Sequence, residues 1–369
     1  MKVLFVANTD KHINLCYRPY MKYLKENNFT VHTATNTDVM LDYSIKKYKI
    51  PIYRSPFHVG NIRAILKLRK IINNEQYDII SCSTPMGGVI ARVAAIKARE
   101  KYNTKVLYTA HGFHFFSVHG KLKGKIYYLI EKILAKYTDI LVTINDEDYN
   151  IAKKNFNTDT RLIKGIGFNK ERLNNKLTKE EIKKMRSILN LKESDYVIIY
   201  IAEISKRKRQ KYLIKALSKI NDDNIKLLLV GDDILNTNIN KYIHKLSLDS
   251  RVKILGFRDD ISNLLDISDL VVSVSSQEGL PLNIMEAMYK NKAIIVTDCR
   301  GNRDLIKNNY NGIVVPISDI CELNKNIVDL KKNKNKALKM GAINKDIINE
   351  YSVDNILSKY VDIYEELLK

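Results

Sequence analysis

Short apolar runs alternate with amphipathic stretches along the whole chain. KVLFVA (2–7), TVHTAT (30–35), YDIISC (77–82), KVLYTA (105–110) and DILVTIN (139–145) predict strands in the first half. YVIIYIAE (196–203), IKLLLVG (225–231), VKILG (252–256), LVVSVS (270–275), AIIVTD (293–298) and GIVVP (312–316) predict them in the second. Helix-length segments separate them, among them YRPYMKYLKENN (17–28), GGVIARVAAIKAREK (87–101) and KRQKYLIKALSKI (208–220). Strand and helix in alternation imply an α/β protein whose parallel sheets are covered on both faces. The pattern runs twice, with a break at LIKGIGFNKERL (162–173), so a junction and hinge are expected at Gly165–Lys170. This predicts two doubly wound, Rossmann-like domains, 1–166 and 167–354, facing across a cleft at the carboxyl ends of both sheets. Ligands bind at that end of such sheets.

The first strand runs into ANTDKHIN (7–14) without a GxGxxG, and no GxxxxGK[ST] occurs. A nicotinamide or flavin fingerprint and a P-loop are therefore absent. A chain of 369 residues, 45% hydrophobic, is long enough for two cores. Cys16, Cys82, Cys299 and Cys321 are scattered, with no CxxC and no Cys/His cluster in sequence. That spacing argues against a disulfide framework or zinc site and for a reducing compartment. MKVLFVANTD reads as a buried first strand rather than a leader, and no apolar run approaches the roughly 20 residues of a spanning helix. The expectation is a cytoplasmic protein, soluble or held peripherally at the inner face of the membrane. The net charge of +21 calls for an anionic partner: nucleic acid, anionic lipid or a phosphorylated substrate. Roughly +14 of it falls in the first 165 residues. Lys-rich solvated surface accounts for much of the charge without any partner.

The chemistry concentrates in SSQEGLPLNIMEAM (275–288). DLVVSVSS is a buried strand and QEGLP a turn, in which Gly279 permits close backbone approach and Pro281 suits the first helical position. From Leu282 and Asn283 a helix propagates, and its first amides form an anion site suited to a diphosphate. Glu278 precedes the helix and projects at the carboxyl end of the strand. Glu286 lies three residues after Asn283, on the same helix face. A carboxylate there suits a diol such as a ribose, accepting two hydrogen bonds. Taken singly, each glutamate also fits an ordinary loop acid or a first-turn acid. Taken together, the turn, the amides and the two carboxylates describe a nucleotide-sugar site.

The Glu-x7-Glu within EGLPLNIMEAM resembles the donor-site signature of family 4 retaining glycosyltransferases, which have the GT-B fold. YTAHGFHFF (108–116), STPMGGVIARVAA (83–95), TDILVTINDEDY (138–149), LGFRDDISNLLDISDL (255–270) and TDCRGNRDLI (297–306) resemble the capsular and exopolysaccharide branch of that family. The likeness covers almost the whole chain. It implies that Glu278 orients the donor sugar, that His111 contacts that sugar from the first domain, and that Lys208 grips the diphosphate. In the family an Arg stands five residues before that Lys; here the position is Glu203, and an anion cannot grip phosphate. Arg207, Arg209 or the helix amides are expected to carry that load. The resemblance places Gly279, Leu280 and Pro281 against the donor. It places main chain at Gly256, Phe257 and Arg258 near the base. It also implies that the terminal segment 355–369 forms a helix crossing back to the first domain.

His12 and Asn14, in the first strand-to-helix loop, are expected to contact acceptor or donor. Gly87 and Gly88 start a helix and fit either acceptor contact or simple close packing. Asp260 reads as a helix cap. The acid pairs Asp222/Asp223, Asp232/Asp233 and Asp259/Asp260 read as turns and caps rather than metal ligands, and the resemblance implies a metal-free site with no cofactor. FHFFSVHGKLKGKIYYLIEKILAKY (113–137) interleaves aromatics with lysines, which fits an anionic membrane surface or an ordinary surface helix. The implied activity is retaining transfer from a UDP-sugar, of an N-acetylated or deoxy amino sugar by the branch likeness, to a polyprenyl-diphosphate-linked saccharide. An epimerase on the same fold and a catalytically silent partner in a glycosyltransferase complex are the alternatives. No nucleic-acid module is recognisable.

Overall fold

The inner strands of the first half are buried almost end to end, as parallel strands covered on both faces must be. A computed structural model describes residues 1–115, 121–233 and 236–369. The chain forms two compact units, Met1–Gly167 with Val353–Lys369, and Phe168–Ser352.

In the first unit, strands β1 (Lys2–Val6), β2 (Thr30–Thr35), β3 (Lys46–Lys49), β4 (Ile79–Ser83), β5 (Lys105–Ala110), β6 (Ile140–Thr143) and β7 (Asp159–Leu162) form a parallel sheet. Its order among the described residues is β3-β2-β1-β4-β5-β6-β7. The edge strands KKYK and DTRL were not expected. Both are charged, which gives no apolar run to read and suits a sheet edge. Helices α1 (Asp10–Glu26), α2 (Gly60–Glu75), α3 (Pro85–Tyr102), α4 (Lys121–Ala135) and α5 (Asp146–Asn155) connect them. Alternate residues of β1 feed opposite cores. Leu4 and Val6 pack with Ala64, Leu68, Ile90 and Ala94 of α2 and α3, whereas Val3 and Phe5 pack with Ile13, Tyr17 and Tyr20 of α1.

The second unit holds β8 (Tyr196–Ile201), β9 (Ile225–Val230), β10 (Val252–Gly256), β11 (Leu270–Ser273), β12 (Ala293–Thr297) and β13 (Ile313–Val315). Among the described residues they order as β10-β9-β8-β11-β12-β13, all parallel. Its helices are α6 (Lys179–Ile188), α7 (Gln210–Leu217), α8 (Ile239–Lys245), α9 (Ile261–Asp266), α10 (Leu282–Tyr289), α11 (Asn302–Leu305), α12 (Ile320–Lys332) and α13 (Lys334–Ile348). The last helix, α14 (Val353–Leu367), returns to the first unit and buries Ile356, Tyr360, Ile363 and Tyr364 beside α1. Gly165 and Gly167 take φ of +88° and +77°, which only glycine adopts freely. A Cβ on Gly167 would meet Val353 Cα at 2.5 Å.

Both sheets reverse their strand order once, between β1 and β4 in one unit and between β8 and β11 in the other. Loops leaving the carboxyl ends of adjacent strands diverge at such a point and open a crevice. His12 and Gly87, in the elements that follow β1 and β4, lie at the first of these, and Lys208 and Glu278, after β8 and β11, at the second, whereas Phe257 and Arg258 follow the edge strand β10.

Candidate active site

In the second unit, the loop after β8 carries Glu203 to Arg209 and the loop after β11 carries Ser275 to Pro281. The two loops are stitched together. Ser276 donates its amide to the Arg207 carbonyl at 2.9 Å. The Tyr200 hydroxyl donates to the Lys208 carbonyl and lies 2.8 Å from Ser275 Oγ. This framework presents Glu278, buried, to two cations. Lys208 Nζ donates to Glu278 Oε1 at 2.6 Å, and Arg207 Nη1 to Glu278 Oε2 at 3.1 Å. Arg300 Nε holds the Glu278 carbonyl at 3.0 Å. Burial alone pushes the Glu278 carboxyl up. Lys208 and Arg207 outweigh that and hold it below the usual carboxylate range, so it is ionised. Arg207 Nη2 also reaches Glu203 Oε1 at 3.4 Å, and that carboxylate is exposed. Two carboxylates and two cations thus meet at the mouth of the switch point. Lys208 and Arg207 form the cationic side of this cluster.

Arg209 stands apart from this cluster. It occupies the left-handed region (φ +58°) before α7, donates to Ser318 Oγ at 2.7 Å and lies over the Tyr212 ring. Of the two arginines offered by sequence as substitutes for the missing one, the structure brings Arg207 to Glu278 and not Arg209.

Pro281 takes the capping position and α10 starts at Leu282, one residue later than the sequence predicts. Asn283 Nδ2 ties the helix start to the Ile201 carbonyl at 2.9 Å. Gly279 packs so close to the next loop that a Cβ on Gly301 (φ +79°) would fall on the Gly279 carbonyl. Leu280 and Leu282 pack at the edge of the second core. Glu286 is half-buried on α10, and its carboxyl makes no hydrogen bond or ion pair among the described residues. Burial pushes it up to about 7, with only Arg172 pulling down. A carboxyl held without a partner is a vacant acceptor. Because its folded value lies above the ordinary 4.5, the second unit should lose stability as pH rises from about 4.5 to about 7. Glu286→Gln should flatten that slope. The melting midpoint of variant and parent at pH 5 and pH 8 checks this, and parallel curves would refute it.

In the loop after β10, the Phe257 amide donates to Asp232 Oδ1 at 3.1 Å, and the Gly256 carbonyl accepts from the Gly231 amide. Asp260 sits at the cap position of α9 but does not cap it. Its carboxylate is taken by Arg258 at 2.6 and 2.7 Å. Asp222 pairs with Lys331, and the Asp233 carboxylate accepts from Thr237.

In the first unit the helix begins earlier than the sequence predicts. Thr9 caps α1, so His12 and Asn14 lie in its first turns rather than in a loop. Asn14 is exposed and His12 turns inward. His111, at the end of β5, has Nε2 2.7 Å from the buried Tyr17 hydroxyl. The His12 and His111 rings meet edge to face at 4.6 Å, and Cys16 Sγ lies 3.7 Å from His12 Nδ1. The fold therefore builds the Cys/His cluster that the sequence spacing argued against. The only sequence signal was the four-residue step from His12 to Cys16, one helical turn.

Gly87 and Gly88 serve packing. A Cβ on Gly87 would lie 2.6 Å from Thr84 Oγ1 and 2.9 Å from Ala7 Cα, and one on Gly88 would fall on the Tyr108 ring. The Gly87 amide is already held by Asn8 Oδ1 at 2.8 Å. Beside them opens a cavity of about 390 Å³, lined by His12, Arg54, Met86, Phe113, Tyr127 and Glu131 among others. Sequence reading missed Arg54 and Glu131. Glu131 is buried and takes its partner, Arg92, from α3, 39 residues away.

Comparison with known proteins agrees with this architecture. Residues 2–145 match the family described as glycosyl transferase 4-like, and residues 181–346 match glycosyl transferases group 1. The chain is 36% identical over 367 residues to the putative glycosyltransferase EpsD of Bacillus subtilis, covering 98% of this chain and 96% of that one. It is 28% identical over 336 residues to an Escherichia coli UDP-Gal:alpha-D-GlcNAc-diphosphoundecaprenol alpha-1,3-galactosyltransferase, covering 89% and 86%. Among solved structures, Anabaena HepE in complex with UDP and glucose superposes with a TM-score of 0.82 at 21% identity, over 99% of this chain and 100% of that one. Fold and similarity agree: the chain belongs to the family 4-type glycosyltransferases of GT-B fold.

Proposed function

We propose that the protein transfers a sugar from a UDP-sugar, with retention at the anomeric carbon, to a polyprenyl-diphosphate-linked saccharide in capsule or exopolysaccharide assembly. The observation that carries this reading is the second unit's switch point. There an ionised Glu278 is held between Lys208 and Arg207, one loop from a partnerless Glu286 and the start of α10. In this reading Glu286 takes the ribose hydroxyls, while Lys208, Arg207 and the Leu282 and Asn283 amides take the diphosphate. Charge builds on the leaving diphosphate in the transition state, and fixed cations and amides stabilise it there without rearranging. Glu278 orients the sugar hydroxyls. In the first unit, the cavity lined by His12, Met86 and Phe113 takes the acceptor. The E. coli relative's lipid-diphosphate acceptor supports that class of substrate.

No helix among the described residues is long and apolar enough to cross a membrane. The first unit instead exposes Phe57, Val59, Ile62 and Leu66 around the start of α2, and Leu122, Leu129 and Ile133 on α4. Arg54, Arg63, Lys67, Lys70, Lys123, Lys125 and Lys132 are exposed among them. We read these helices as resting on an anionic bilayer, where a lipid-linked acceptor is presented. Residues 116–120 of the aromatic and basic segment lie outside the described residues.

The test is calorimetric titration with UDP, GDP and ADP, with and without chelator. Selective UDP binding in the micromolar range, unchanged by chelator and lost in Glu286→Ala, is expected. No binding to any nucleotide would overturn the reading. It would mean that Glu203, by occupying Arg207, has disabled the phosphate grip, and the silent-partner alternative would take its place.

A further inference from the structure

We infer that His12, Cys16 and His111 form a binding site for a thiophilic divalent cation of the Zn²⁺ class. Each side chain offers one donor atom, and the three atoms lie within 4.8 Å of one another. Zinc bonds of about 2.0–2.3 Å in a tetrahedral set place ligand atoms about 3.5 Å apart. His12 Nδ1 and Cys16 Sγ, at 3.7 Å, already stand at that spacing. The scaffold is rigid on both sides. His12 and Cys16 share one face of α1, and His111 is fixed at the end of β5 beside the buried Tyr17.

His12 turns Nδ1 toward Cys16 Sγ, and its other ring nitrogen, Nε2, is shut away from solvent with no hydrogen-bond partner, so Nδ1 is the nitrogen available to a cation shared with Cys16. The Cys16 thiol must give up its proton to solvent as the sulfur–metal bond forms, one proton per cation bound. Two imidazoles and a thiolate select Zn²⁺ or Co²⁺ over Mg²⁺ and Ca²⁺, and leave a fourth position open beside the cavity that His12 lines. Resting on the function proposed above, a cation bound beside the first unit's acceptor cavity, which His12 lines, would inhibit transfer.

The test uses the full chain with Cys321, which is exposed, replaced by Ser in every sample. Titration with Co²⁺ should give one thiolate-to-cobalt charge-transfer band per chain in the near ultraviolet, one proton released, and displacement by Zn²⁺. Cys16→Ser should lose the band while keeping its circular dichroism and UDP affinity, and His12→Gln should weaken binding at least tenfold. Absence of the band, or a band unchanged in Cys16→Ser, would overturn the site and mark the cluster as aromatic packing. In the activity arm, Zn²⁺ should inhibit transfer reversibly, and Cys16→Ser should be at least tenfold less sensitive. A normal cobalt band with undiminished transfer would keep the cation site and refute the placement of the acceptor in the cavity beside it.

Discussion

Glu278→Ala is expected to abolish measurable sugar transfer, a fall of about 10²–10³-fold or more in kcat, with UDP affinity retained. The carboxylate makes its two ion pairs to the cations assigned to the diphosphate, so its loss frees them rather than removing them. What disappears is the group that orients the sugar and the counter-charge that fixes Lys208 in place. Glu278→Gln keeps the shape and loses the charge, which separates orientation from electrostatics. Single-turnover transfer rates, with UDP titration of the same samples, check the claim. If Glu278→Ala and Glu286→Ala lose UDP binding equally, the division of roles between sugar and nucleotide is wrong.

The second large effect concerns stability. Arg92 is 1% exposed, donates to Glu131 Oε2 at 2.9 Å and to the Gly88 carbonyl at 3.0 Å, and lies 3.9 Å from the Tyr108 ring centre. Arg92→Ala leaves Glu131 buried with only the Tyr108 hydroxyl, at 3.2 Å. Stranding one member of a buried ion pair costs about 3–5 kcal/mol, whereas replacing both with apolar groups of similar volume costs little. Arg92→Ala should therefore shift the urea transition of the first unit to markedly lower concentration, and Arg92→Met with Glu131→Leu should recover most of the loss. UDP binding by the second unit serves as the internal control. A double variant as unstable as the single one would show that the network stabilises by geometry rather than by charge balance.

The strands that carry the two cores were legible because burial on both faces forces continuous apolar runs. Edge strands β3 and β7 were not, because selection at an edge runs toward charge. Glu278, Gly279 and Glu286 were legible because turn chemistry, helix start and spacing sit within one short segment. The pairing of Glu278 with Lys208 was not, since those residues are 70 positions apart and meet only where the sheet reverses its order. The same holds for Arg92 with Glu131 and for His111 with His12. Arg207 and Arg209 looked equivalent in sequence. The left-handed backbone at Arg209 aims it elsewhere, and no local pattern announces that.

The return of α14 to the first unit has a consequence for biosynthesis. The Tyr360 hydroxyl lies 3.4 Å from Thr109 Oγ1 and that of Tyr364 lies 3.1 Å from Ser81 Oγ, so the core under β4 and β5 lacks two of its aromatic side chains until Val353–Leu367 is made. A ribosome translating this message completes Phe168–Ser352 before it supplies those tyrosines. The unit whose synthesis begins first is therefore finished last. Until then the face of α1 that packs Tyr20 against Tyr360 stands uncovered, an apolar seam that a chaperone at the tunnel exit would meet.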